Sequence, residues 1–146
     1  MQHGTYALIL SCSMHAVVQI GRLGCVQLQS GYYVYVGSAF GPGGIAARLA
    51  HHVKVTPRPH WHVDYLRAHA VLEEVWYTDD PVRREHAWAA LFAQARGASI
   101  PLVGFGSSDC RCVSHLWRFQ TRPSRRSFQR RLRRHGMAAT IHMTLT

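Results

Sequence analysis

The sequence predicts an α+β fold: a small, mostly antiparallel sheet flanked by helices, with an inserted β-hairpin. Three observations predict it. Short apolar runs rich in Val, Ile, Leu and Tyr recur through the first half of the chain, as "TYALILSC" and "YYVYVG". Two such runs are joined by the tight turn "GRLG", which marks a hairpin. Two later segments switch to helical periodicity, one after the glycines of "GPGG" and one after "DDP". At 146 residues and 47% apolar, the chain has the size of one domain with one respectable core.

Taken in order, Thr5 to Cys12 reads as a buried strand, because its apolar run is nearly continuous. Ala16 to Ser30 reads as the hairpin, and "YYVYVG" as the next strand. "SAFGPGG" (Ser38 to Gly44), with three glycines and a proline, is expected to be irregular. Ile45 to Val53 is a helix in which Ile45, Leu49 and Val53 fall within about 80° of one another. Arg48 and His52 border that stripe one turn apart, and His51 points away toward solvent. "TPRP" breaks the helix. "HWHVDYLRAHA" is ambiguous, with a short helix expected from Val63, and Val71 to Thr78 is a strand. The clearest helix is "DDPVRREHAWAALFAQAR", with Asp80 as its cap, Pro81 at the first helical position and Gly97 at its end. Leu102 to Phe119 reads as a loop leading into a last strand. "RSFQRRLRRH" is an arginine-rich helix with Phe128 and Leu132 as a thin apolar edge, and residues 137–146 carry no legible signal.

Composition narrows the function classes. The net charge is +10, and 16 of the 17 basic residues are arginine, Lys54 being the exception. A positive chain attracts polyanions, nucleic acid first among them. No window has the apolar length of a membrane helix, and the first residues lack the order of a secretory signal, so a cytoplasmic protein is expected. Four cysteines (Cys12, Cys25, Cys110, Cys112) are too few for a disulfide scaffold and are expected to be reduced.

Glu85 is singled out by periodicity. In a helix running from Val82 it falls on the side of Val82, Trp88, Ala89 and Phe92, while Arg83 and Arg84 face elsewhere. A carboxylate in an apolar stripe must be paired, metal-bound or protonated. A structural ion pair, with Arg48 as a candidate partner, and a functional role are both open on this pattern. Tyr33 and Tyr35 share one strand face, and a strand tyrosine taken singly is ordinary packing.

Read together, "GTY" (Gly4 to Tyr6), "YVG" (Tyr35 to Gly37), a helical arginine followed four residues later by histidine (Arg48, His52) and a helical glutamate (Glu85) resemble the GIY-YIG nuclease superfamily. Five ordered stretches, "GTYAL", "GYYVYVGSA", "GPGG", "HWHVDYL" and "GFGSSDCRC", are similar to an uncharacterised compact prokaryotic branch of it (domain of unknown function 123). That branch is also found fused to endonuclease-III-type glycosylases. The likeness covers about Gly4 to Trp117. It departs from the better-known nucleases in the 29 positions separating Tyr6 from Tyr35, which the inserted hairpin absorbs, and in the "GPGG" insertion before Arg48.

The resemblance implies metal-dependent endonucleolytic hydrolysis of DNA phosphodiesters, on branched or damaged DNA in repair or recombination, with repair enzymes as possible protein partners. RNA stays open as a substrate. It implies Tyr6 as the residue helping to deprotonate the attacking water, Tyr35 as its orienting neighbour, Arg48 on the scissile phosphate and His52 on phosphate or a proton. Glu85 would be the ligand of one Mg²⁺ or Mn²⁺. A phenol ionises near pH 10 unless positive charge lies close by, so Tyr6 requires Arg48 and the cation as neighbours.

Other groups are weighed beside these. In "HWH", His60 or His62 is expected to contact phosphate, against a reading in which Trp61 is core and the histidines are solvated. Cys110, Cys112 and His115 offer three zinc ligands, with His60 or His62 as a fourth. The one-residue gap between the cysteines departs from the usual C-x₂₋₄-C spacing, and small buried cysteines in a strand are the alternative. "GFGSSD" is a further loop whose amides are candidates for the site. Arg125, Arg126, Arg130, Arg131, Arg133 and Arg134 are expected to contact the phosphate backbone without reading sequence, a solvated tail being the competing view. The expected division is a nuclease-like domain over 1–117 and an arginine-rich tail over 118–146. Two rivals to the nuclease are a non-catalytic binding module of the same fold and a zinc-organised scaffold for a repair partner.

Overall fold

In a computed structural model, which describes residues 2–107 and 110–145, the chain is an α+β protein. The elements are β1 (Gly4–Cys12), β2 (Ala16–Ile20), β3 (Gly24–Leu28), β4 (Gly31–Ala39), α1 (Gly44–Val53), α2 (His62–Arg67), β5 (Val71–Tyr77), α3 (Glu85–Ala93), β6 (Leu116–Phe119), α4 (Arg125–Arg134) and β7 (His142–Leu145). Five strands form one sheet in the order β6-β4-β1-β5-β7, every neighbouring pair antiparallel. The inserted hairpin, β2–β3, is a separate two-stranded sheet.

Strand alternation divides the core into two layers. Tyr6, Leu8 and Leu10 of β1, with Tyr33 and Tyr35 of β4, face α1, α2 and the hairpin residues Val18, Ile20, Val26 and Leu28. Ala7, Ile9, Val34, Val36, Trp76 and Trp117 face the opposite way, onto α3 and α4. Tyr33 is packing with a local clamp: its hydroxyl accepts from Gln29 N at 3.0 Å and donates to Gln29 O at 3.1 Å.

Several expectations need correction. Ser38 and Ala39 continue β4 instead of opening a loop, because their backbones pair with Thr5 and Gly4. His51 is half-buried and paired rather than free in solvent; its Nε2 lies 2.9 Å from Asp64 Oδ1. His52 is the residue that enters the core, at 1% exposure, while Val53 is exposed. The helix expected from Asp80 starts at Glu85. Asp80 instead holds a turn, accepting from Val82 N and from Arg84 Nε, and the buried Thr5 hydroxyl accepts from Arg84 N.

The boundary expected after residue 117 falls inside β6. Beyond it, α4 seats Phe128 and Leu132 in the second core layer, and Phe92 and Phe128 stack at 4.5 Å. Arg122 pairs with the buried Glu74 at 2.7 Å. Residues 142–145, unread in the sequence, pair with Glu74–Tyr77 and form the outer strand β7. The arginine-rich segment is therefore part of the fold. Its helix turns Phe128 and Leu132 inward, leaves Arg125 and Arg131 half-buried, and exposes Arg126, Arg130, Arg133 and Arg134.

Candidate functional site

The ends of β1 and β4 nearest Gly4 and Ala39 build the site. Register places Tyr6 opposite Gly37 and Leu8 opposite Tyr35, so the two phenols share a face, with ring centroids 6.5 Å apart. Gly37 is required here: a Cβ at that position would collide with the Tyr6 hydroxyl. Tyr6 is fully buried, and its hydroxyl lies 2.8 Å from His52 Nε2. Burial pushes the Tyr6 phenol above its ordinary value, more than the nearby Arg48 guanidinium pulls it down. Burial raises the Tyr35 phenol well above its usual range too, helped by the neighbouring Tyr6. Burial also lowers His52, to about 3, against the opposing pull of Asp64. At neutral pH the core of the site is a neutral phenol hydrogen-bonded to a neutral imidazole.

In front of this pair lies a polar pocket of about 460 Å³, lined by Tyr35, Ser38, Arg48, Trp61, Arg83 and Glu85 among others. Arg48 arrives from α1. Its guanidinium sits 4.3 Å from the Trp61 ring centroid, and its Nη1 donates to the Ser38 carbonyl at 3.0 Å. Among the described residues Arg48 makes no salt bridge, so the ion pair with Glu85 considered from the sequence is not formed. Glu85 opens α3, where the helix dipole favours a carboxylate. It accepts from Ser38 Oγ at 3.2 Å, and its Oε1 lies 3.2 Å from His115 Nδ1. Burial works to raise the Glu85 carboxyl, but the bonds from His115 and Ser38 outweigh it and hold the group below its ordinary value. Glu85 is therefore ionised at neutral pH.

All five residues expected to be catalytic thus gather in two layers. Tyr35, Arg48 and Glu85 line the pocket, while His52 lies behind it with Tyr6. His60 and His62 do not line it. His60 is exposed, and His62 Nδ1 accepts from Gly106 N at 2.7 Å. Trp61 is the member of "HWH" that reaches the pocket, because Asp64 accepts from the His60 and Trp61 amides and fixes the entry to α2. In the "GFGSSD" loop, Gly106 lines the pocket with φ of +68°, at a position where a Cβ would collide with the Tyr35 ring and crowd His115. Ser108 and Asp109 lie outside the described residues.

Arg83 was missed by the sequence reading. Residues 81–84 are not helical, so Arg83 turns to the pocket and lies 4.7 Å from the Phe40 ring centroid. His86 was missed as well. It joins Cys110, Cys112 and His115 in a group whose potential ligand atoms all lie within 4.8 Å of one another. The unspent cysteines of "CRC" were the available signal; the partner sits beside Glu85, not in "HWH". The arginines of α4 lie on the sheet face opposite the tyrosines. A second, larger groove of about 940 Å³ at the far end of β1 and β4 contains Arg67 and Arg118, but both already donate to backbone carbonyls.

Fold and pocket together define a small α+β domain with a polar pocket, flanked by arginines, at one end of its sheet. The family model described as "Domain of unknown function DUF123" matches residues 5–137, and the chain belongs to that family. That span includes α4, which agrees with the packing of this helix on the sheet. No curated protein and no solved structure matches the chain. Among the described residues no helix is long and apolar enough to cross a membrane.

Proposed function

We propose that the protein is a metal-dependent endonuclease of the GIY-YIG type acting on DNA in repair or recombination. The observation that carries this reading is the convergence of Tyr35, Arg48 and Glu85, from three separate elements, on one polar pocket. A phosphodiester needs its charge neutralised, a water aimed at phosphorus and its leaving oxygen stabilised. Arg48, flattened against Trp61 and with donors to spare, suits bidentate contact with non-bridging phosphate oxygens. Arg83 at the rim supplies a second positive charge for the neighbouring backbone. Tyr35 is the phenol facing the pocket and takes the task of orienting the water, with Tyr6 and His52 supporting its ring from behind.

Glu85 would hold the Mg²⁺ or Mn²⁺. Its two oxygens each have one partner here, which leaves acceptor capacity on an ionised carboxylate, and such ions take one or two carboxylates and fill the rest with water and phosphate oxygens. When bound, the cation supplies Lewis-acid stabilisation of the leaving oxygen. The exposed arginines of α4 serve as additional backbone contacts in this reading.

The buried, un-ionised Tyr6 favours a second reading, a nucleic-acid-binding module without turnover. One comparison separates the two. Labelled duplex, nicked, single-stranded and branched DNA, and matching RNA, are incubated with Mg²⁺ or Mn²⁺. Cleavage that Glu85→Gln and Tyr35→Phe each reduce by roughly 10²-fold or more supports the nuclease. Salt-sensitive binding without cleavage of any substrate supports the module. Cleavage unchanged in both variants refutes the assigned site.

A further inference from the structure

We propose that His86, Cys110, Cys112 and His115 bind one transition-metal ion, zinc by preference, which pins the loop before β6 to the first turn of α3. This site is separate from the cation site assigned to Glu85 and does not depend on the nuclease reading.

The geometry is close to that of a bound ion. His86 Nδ1 lies 3.1 Å from Cys112 Sγ, and Cys110 Sγ lies 3.4 Å from His115 Nε2. A tetrahedral zinc with the usual Zn–S and Zn–N bonds holds its ligand atoms about 3.3–3.8 Å apart. All four atoms fall within 4.8 Å of one another, so small side-chain rotations close the shell. Two sulfurs and two imidazole nitrogens select zinc over magnesium or calcium, which prefer oxygen.

His115 is already oriented as a ligand. It is 1% exposed, and its Nδ1 faces two acceptors, the Val36 carbonyl and Glu85 Oε1, each at 3.2 Å. Nδ1 must therefore carry the proton, which leaves the Nε2 lone pair facing Cys110. A carboxylate behind a histidine in this way is the outer arrangement that fixes metal-bound imidazoles. The close C-x-C spacing suits this segment because residues 110–115 are irregular, and both thiols are free.

Four protein ligands close the coordination shell, so the ion is structural. Its binding releases the two thiol protons. Without it, the described hydrogen bonds that tie this loop to the rest of the fold run through Gly106 N to His62 and through His115, whose carbonyl accepts from Val36 N and whose Nδ1 faces Val36 O and Glu85. The "CRC" segment reaches α3 through the Cys112–His86 contact. The ion adds a cross-link from the loop to α3, one residue from Glu85.

The test uses the full chain purified without chelators. About one zinc per chain after dialysis is expected. Replacement by Co²⁺ is expected to give visible d–d bands of tetrahedral cobalt and near-ultraviolet thiolate-to-cobalt charge transfer. Cys110→Ser and Cys112→Ser should each reduce that charge-transfer band, and Cys25→Ser, in the hairpin, should leave it intact. The cobalt spectrum of the unmodified chain decides the matter even if a variant fails to fold. Absence of thiolate charge transfer, a spectrum unchanged in Cys110→Ser and Cys112→Ser, or a Cys110–Cys112 disulfide in reduced preparations would each overturn the site. None of these readouts depends on DNA cleavage.

Discussion

The two faces of the central sheet are both aromatic, yet they are built from different chemistry. The face covered by α3 and α4 stacks Trp76, Phe92, Trp117 and Phe128 against one another with ring centroids 4.5–6.4 Å apart. The face covered by α1, α2 and the hairpin carries Tyr6, Tyr33 and Tyr35 beside His52. Rings on the first face hold the fold through burial and dispersion. Rings on the second also bring hydroxyls and an imidazole that must be partnered inside the core, and this is the face whose end opens into the pocket. One side of the sheet gives up polarity for packing density. The other retains polar groups where chemistry is proposed.

The largest effect should come from breaking the stacked face. Phe128→Ala removes the ring that contacts Trp76, Trp88 and Phe92, and is expected to destabilise the protein by about 3–5 kcal/mol in urea unfolding. A change below about 0.5 kcal/mol would mean that α4 is not part of the core after all.

The phenol face should instead show itself in pH dependence. His52 is held neutral by burial down to about pH 3, whereas an unfolded histidine takes up its proton near pH 6.5. The unfolded chain therefore binds the extra proton first as pH falls. This contribution to stability is fully present above pH 6.5 and is lost progressively as pH drops toward the folded value. Between about pH 6.5 and 5 the expected loss is roughly 2 kcal/mol, with a matching flattening in His52→Gln. Burial depresses His62 in the same direction and adds to the slope. Asp64, His51, Arg48 and Arg67 all act on His52, so the same profile in 0.5 M salt tests how much of the effect is charge and how much is burial. Stability that stays flat from pH 7 to 5 would show that His52 is not held neutral in the core.

The smallest of the three effects sharpens the contrast within one residue. Tyr6→Phe keeps the ring and its packing but removes the partner of His52 Nε2. A loss of about 1–2 kcal/mol is expected from the unpaired imidazole, measured by the same unfolding series. A neutral result would reduce Tyr6 to the role that the phenylalanines play on the other face.

What the sequence made legible follows from how local each signal is. β1, the hairpin, β5 and α1 were readable because apolar runs and a tight turn specify them within a few residues. The start of α3 was not, since Asp80 followed by proline is a sound capping signal. It was overridden by the Thr5 hydroxyl, which takes the Arg84 amide from 79 positions away. β7 was hidden because a run of four residues is too short to signal a strand by itself and becomes one only through the edge of β5. Within the site, Tyr35, Arg48 and Glu85 were nameable from motif order. The pairing of Tyr6 with His52, the pocket position of Arg83 and the partnership of His86 with "CRC" depend on contacts that no local pattern encodes.

The outer position of β7 has a consequence for handling the protein. The opposite margin of the sheet, β6, is shielded by the Ser99–Arg118 bridge, and β5 is shielded by residues 142–145. A version shortened before His142 would leave the amides and carbonyls of Glu74 to Tyr77 free to recruit a strand from another molecule. Self-association after such trimming would then report a bared margin, and would say nothing about quaternary structure in the intact chain.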